Sequence, residues 1–290
     1  MLGIIGIIIV FVAVFVVYAV AGGKMGIIIH AAPIELSTIL GAAIGAFLIA
    51  NKTIVIKGAL GGLSKVFKGA KWKSQDYKDL LALLFTLLKL VRTKGMIALE
   101  QHIENPEESV IFQQYPKILH DHFAVAFLCD TLRMMTMSFE DPHQVEDMME
   151  KVLDKHHHEL HANAHSLQTM ADGLPALGIV AAVLGVIKTM SSITEPVEVL
   201  GAMIGGALVG TFLGVFMAYG LVGPFASKMG QVYDEEHIFY QIIKLVLVSH
   251  LNGNAPQISV EIGRINIPTA YEPSFTEMEQ VLQEVSLPAN

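Results

Sequence analysis

Four stretches of this chain contain no Asp, Glu, Lys or Arg: residues 1–23, 36–51, 173–187 and 199–227. A helix that crosses a bilayer needs about 20 mostly apolar residues, because a rise of about 1.5 Å per residue must cover roughly 30 Å of hydrocarbon. The first and last stretches meet that length outright. The middle two fall short, and each is extended by a charged residue able to snorkel at the boundary, Glu35 in one case and Lys188 in the other. Four spans is the economical count. With 53% hydrophobic residues and a mean hydropathy of +0.54, the chain is too apolar for an ordinary soluble domain. The first stretch reads as a retained span, because no Lys or Arg precedes it and it is longer than a usual signal core. Cys129 is the sole cysteine, which excludes a disulfide within the chain and a cysteine metal cluster.

Basic residues set the orientation. Lys52, Lys57, Lys65, Lys68, Lys71 and Lys73 follow the second span with no acid among them, the mark of a cytoplasmic flank. The connection at 22–34 holds only Lys24, and that at 191–198 only Glu195 and Glu198, so both read as short external loops. The termini and the long middle loop then face the cytoplasm. The expected fold is an all-α membrane protein with four transmembrane helices. It divides into spans one and two (1–51), a large helical cytoplasmic domain (52–172), spans three and four (173–225) and a cytoplasmic C-terminal region (226–290).

Within the cytoplasmic domain, residues 76–103 show helical apolar spacing through Leu80, Leu84, Leu87, Leu88 and Val91. Asp141, Pro142 and Gln144 make a helix start, with Asp141 as cap and Gln144 placed to complete a capping box. Val145, Met148, Met149, Val152 and Leu153 follow as an apolar stripe. The tail is expected to hold one helix followed by irregular structure. A net charge of −8, carried mostly by the soluble parts, gives no footprint for nucleic acid.

The fourth span is rich in glycine. Gly201 and Gly205, Gly206 and Gly210, and Gly210 and Gly214 are four apart, and Gly41 and Gly45 repeat the spacing in the second span. Such small faces let backbones approach closely, within the chain or against further helices. At mid-depth the spans are expected to carry few polar side chains, Thr211 the clearest, and no carboxylate. Ions crossing hydrocarbon need an ionisable relay or a coordinating cage. The chain therefore reads as a scaffold or as one wall of a pathway whose carboxylate comes from a partner. Taken alone, Thr211 reads as a hydroxyl bonded to its own helix, Pro175 as a helix opener and Pro224 as a helix stop.

His156, His157, His158, His161 and His165 form the densest polar cluster and read as a solvated face rather than a metal site. Arg92 and Glu100, near the end of the 76–103 helix, read in isolation as surface charges on roughly the same side. No phosphate-binding loop, nucleophile elbow or carboxylate pair supports an enzyme, and no cofactor is implied.

Three signatures resemble the MotA proteins of the MotA/TolQ/ExbB proton channel family. The first is Pro175-Ala176-Leu177-Gly178-Ile179-Val180-Ala181-Ala182, with Gly210-Thr211-Phe212-Leu213-Gly214 and Ala218-Tyr219-Gly220 before Pro224. The second is Gly95-Met96, Leu99-Glu100 and Ile103-Glu104-Asn105-Pro106-Glu107. The third is Leu251-Asn252-Gly253, Ala255-Pro256 and Glu261-x-Gly263-Arg264. No single motif decides, but all three in order with four spans are specific together.

The resemblance implies a stator subunit of the bacterial flagellar motor, multi-pass in the inner membrane, that couples proton flow to torque on the rotor. It implies a ring of five copies around two copies of MotB, whose span supplies the proton-accepting Asp. It assigns Pro175 and Pro224 to proton-driven conformational change, and Thr211 to the channel near that Asp. Arg92 and Glu100 fall to the contact with the rotor protein FliG. Sodium-driven relatives carry a threonine where this chain has Ala182, so the missing hydroxyl favours H⁺ over Na⁺. The alternative is a TolQ/ExbB-type energiser of the outer membrane, although those proteins usually have three spans and lack the second signature. A solute transporter would need broken helices and a polar midplane site, which these spans are expected to lack.

Overall fold

The computed structural model describes residues 2–137 and 141–285, and every assigned element there is helical. Two apolar helices come first, α1 (Leu2–Val20) and α2 (Met25–Ala50), joined by a short turn at Gly22 with φ +85°. That left-handed backbone is open to glycine at little cost. Next come α3 (Thr53–Lys68), α4 (Ser74–Lys94), α5 (Met96–Glu104), the one-turn α6 (Pro116–Leu119) and α7 (His122–Thr136). Two very long helices follow, α8 (Pro142–Met190) and α9 (Val197–Leu251). The chain closes with α10 (Pro256–Arg264) and α11 (Phe275–Glu284). The helices long and apolar enough to cross a membrane are α1, α2, α8 and α9, four among the described residues.

The chain packs into two compact units. One comprises residues 1–69 and 159–233, the other 70–158 and 234–290, so α8 and α9 contribute to both. The sequence boundary near 51 coincides with the end of α2, whereas those near 172 and 225 mark where charge reappears along helices that do not stop there. Charge and packing thus partition the chain differently.

In the first unit α9 lies along α2, and Ile39, Ala43, Leu174, Ala181, Val209 and Leu213 form the buried seam. A second cluster, Val66, Ala164, Leu167, Met229 and Tyr233, seats α3 against α8 and α9. None of the residues of α1 is buried, and Ile4, Ile5, Ile8 and Ile9 stand open. An apolar surface of that extent suits lipid or neighbouring helices rather than water.

The second unit has a large buried apolar core. The Trp72 indole stacks on Phe239 at 3.7 Å between ring centres, amid Tyr77, Leu80, Leu84, Leu88, Leu128 and Leu132. Asp141 accepts a bond from the Gln144 N–H at 2.9 Å, as a cap at that site should. Two expectations fail here. The 76–103 segment is two helices, because Gly95 turns the chain at φ +81°. The tail is not irregular beyond its first helix: α10 opens on Pro256, and a Ser274–Glu277 capping box starts α11.

Candidate functional site

The centre of the membrane unit is a close crossing of α8 and α9. A β-carbon on Gly178 would stand 2.9 Å from the Gly210 carbonyl oxygen, and one on Gly214 2.7 Å from that of Leu174. Real side chains essentially never approach backbone that closely, so glycine is what permits the crossing. Gly41, Gly45 and Gly201, by contrast, meet nothing within 4 Å, which leaves their faces open to other helices.

Glu35 corrects the expectation that the spans lack a carboxylate. The residues read as an external loop at 22–34 are mostly helix, since α2 begins at Met25. Glu35 is therefore ten residues into a spanning helix, about 15 Å along it rather than at the boundary. Its Oε2 lies 2.7 Å from where a Gly210 β-carbon would be, and Ala181 Cβ and the Ala182 nitrogen approach the same point at 3.2 Å. Half-buried Glu35 also lines a cavity of about 910 Å³ between α2, the last turns of α8 and the first half of α9. His30, Thr38, Lys188 and Glu198 share that lining. The cavity is lined mainly by apolar residues, with these few polar groups among them, and a carboxylate at that depth is costly to bury, which makes Glu35 a candidate functional residue.

Thr211 and Ala182 flank this point on α9 and α8, both half-buried. Pro175 lies one turn from Gly178, well inside α8, and is not a helix opener. Pro lacks the N–H that would bond the carbonyl four residues back, so Ala171 is left without that partner. Pro224 is not a stop either: α9 runs through it to Leu251, immediately after a π-helical segment at Ala218–Val222. Wider turns of this kind accommodate an irregular residue and cluster at functional sites.

Arg92 and Glu100 belong to the second unit. Both are exposed, on α4 and α5 respectively, and neither makes an ion pair among the described residues. The turn at Gly95 separates them, so they do not share one helix face as expected. The histidine cluster is only partly solvated. His156 stacks on Phe123 at 3.5 Å, and His157 lies 4.3 Å from His237 between ring centres, while His158 and His165 are exposed.

Comparison with known proteins places the chain in a family. The Motility protein A N-terminal model matches residues 4–95, and the MotA/TolQ/ExbB proton channel family model matches 119–241. Motility protein A of Escherichia coli K12 is 41% identical over 99% of this chain and 97% of its own. The chain belongs to the MotA family. As a member it is an ion-conducting stator subunit of the flagellar motor, which couples proton flow to torque, and the TolQ/ExbB alternative is not favoured. The solved stator complex MotAB of Bacillus subtilis has a chain similar at a TM-score of 0.70 and 25% identity, covering 96% of this chain and 98% of that one. MotAB of C. jejuni gives a TM-score of 0.72 at 20% identity over 92% and 95%, which speaks for the fold. MotA relatives are stator and channel proteins. Glu35, expected at the boundary of the second span, is the residue whose depth the sequence did not reveal; its signal was a lone acid ten residues after Met25 with apolar residues on both sides.

Proposed function

We propose that this chain forms one wall of a proton pathway, completed by a MotB-type subunit that supplies a transmembrane Asp. The solved neighbours are MotAB complexes, which supports that partner and assembly of several copies. In this reading five copies surround two MotB chains. Glu35 takes up protons from the external cavity, Thr211 faces the partner Asp, and Ala182 leaves no hydroxyl with which to strip water from Na⁺. Pro175 and Pro224 convert protonation into movement of α8 and α9. Exposed Arg92 and Glu100 engage opposite charges on FliG. The chain crosses the bacterial inner membrane with both termini cytoplasmic, binds no cofactor and performs no enzymatic reaction.

The observation that carries this reading is Pro175 inside a continuous spanning helix, one turn from the Gly178–Gly210 crossing, whose Gly210 the Glu35 carboxylate also approaches. A proline there leaves a backbone carbonyl free to adopt more than one arrangement, which an ion-driven motor part requires. Reconstitution in proteoliposomes tests it. Proton flux is expected when the chain and its MotB-type partner are present together, and only background flux for either alone. Robust flux from the chain alone would remove the partner from the pathway.

A further inference from the structure

We propose that the cytoplasmic end of the membrane unit holds a binding site for an anionic phospholipid, gripped at its phosphate by Lys68 and Lys228. A cavity of about 390 Å³ lies where the start of α1, the end of α3 and the cytoplasmic part of α9 meet. Leu2, Ile4 and Phe67 form its apolar wall, and Lys68 and Lys228 are its charged residues. No Asp or Glu is among the described residues lining it.

Two separate features fix the chemistry of the occupant. Lys68 and Lys228 are both exposed and make no ion pair among the described residues, so two positive charges face one cavity uncompensated. An anion is the complement. The second feature is the apolar part. Leu2 is 85% exposed, Ile4 54% and Phe67 46%, a wall that water does not favour and a free anion does not need. A ligand with a phosphate at one end and hydrocarbon at the other satisfies both.

Depth agrees with that occupant. The six lysines between 52 and 73, with no acid among them, put this end of the unit at the cytoplasmic leaflet, where anionic lipid resides. α3 is amphipathic. Its inner face, Ala59, Gly62 and Val66, is buried, while Lys57, Leu60, Ser64, Phe67 and Lys68 face outward. An outward face that mixes lysine with Leu60 and Phe67 is that of a helix lying in the headgroup layer. Phe67 is held in place by an edge-on contact with Phe225 at 5.8 Å, so the apolar wall is a fixed part of the fold. Gly69, at φ +76°, ends α3 and frees the chain to leave the membrane surface.

This inference rests on the chain's placement in a membrane and not on ion conduction, so failure of the flux experiment leaves it standing. The test is native mass spectrometry of the full chain, purified in detergent with its MotB-type partner, after addition of phosphatidylglycerol or phosphatidylcholine. Retention of phosphatidylglycerol over phosphatidylcholine is expected. Each lysine near a bilayer surface is worth roughly a fivefold change in affinity, so K68Q/K228Q should bind phosphatidylglycerol roughly thirtyfold more weakly. K68R/K228R keeps the charges and should retain the lipid, which guards against a folding defect in the glutamine variant. F67A should weaken the lipid without creating a preference for phosphatidylcholine. Equal retention of the two lipids, unchanged binding in K68Q/K228Q, or displacement of the lipid by millimolar inorganic phosphate would each overturn the proposal.

Discussion

The Glu35 carboxylate and Gly210 are in contact across two spanning helices: Oε2 lies 2.7 Å from the point where a β-carbon on Gly210 would stand. The glycine is thus what gives the carboxylate room. Gly210→Ala is expected to push Glu35 aside and to press on the Ala182 backbone at 3.2 Å. Overpacking of this kind costs about 1–3 kcal/mol. The subunit should still reach the membrane while motor torque falls. Adding Glu35→Ala removes the nearest obstacle and should restore packing but not torque. Immunoblots of membranes alongside bead-rotation assays separate the two effects, and full torque in Gly210→Ala would show that the carboxylate's position is immaterial.

Pro175 lies inside α8, so its replacement has a definite physical effect. Pro175→Ala supplies an N–H to the Ala171 carbonyl and removes the ring clash, which together are worth up to about 3 kcal/mol in favour of a straight helix. That shift is large enough to trap one of two backbone arrangements. The expected variant assembles normally with the MotB-type partner and turns the motor poorly. Normal torque at high load would mean that α8 tolerates Pro175 without using it.

Much of this could be read from the residues. Charge is excluded from hydrocarbon so strongly that the spans show as blank stretches, and Asp141 caps its helix as its neighbours suggest. The failures share a cause. Glu35, Pro175 and Pro224 are local signals of a boundary, yet each lies within a continuous helix because packing against neighbours outweighs propensity. Gly95 makes the break between α4 and α5, but apolar spacing continues on both sides and concealed it. The Ser274–Glu277 capping box that starts α11 was a local sign that the expectation of an irregular tail overlooked. The stacking of His156 on Phe123 had no local sign, since it depends on α7 meeting α8.

Asp121 links the second unit to pH. Burial alone would raise its pKa, but the Lys71 ammonium at 2.5 Å, the Ala124 N–H at 2.8 Å and the Tyr240 hydroxyl at 3.1 Å hold it below the usual carboxylate value. A carboxyl depressed on folding contributes stability that is fully present above its unfolded value, about pH 3.9. That contribution is lost as pH falls through the lower folded value. Asp121→Asn should cost about 1–3 kcal/mol near neutral pH, through the lost ion pair and weakened cap. It should also flatten the acid limb. Thermal melts of the detergent-purified chain between pH 7 and pH 3 measure both, and an unchanged acid limb would detach Asp121 from it.

Arg92 and Glu100 are exposed and without ion pairs among the described residues, so changing them should leave folding within about 0.5 kcal/mol of the parent. Complementary charges nonetheless steer and orient encounters strongly. Arg92→Glu is expected to reach the membrane at normal levels and impair swimming, with partial recovery from a charge reversal on FliG. Swimming at the parental rate would remove Arg92 from the rotor contact.

The most direct measurement of the stator role is swimming in a strain from which this chain alone is deleted, with filaments counted by electron microscopy. The expected result is full loss of swimming with intact flagella, and recovery on re-expression to a speed that follows the proton-motive force and ignores external sodium. Swimming that persists without the chain would contradict the account.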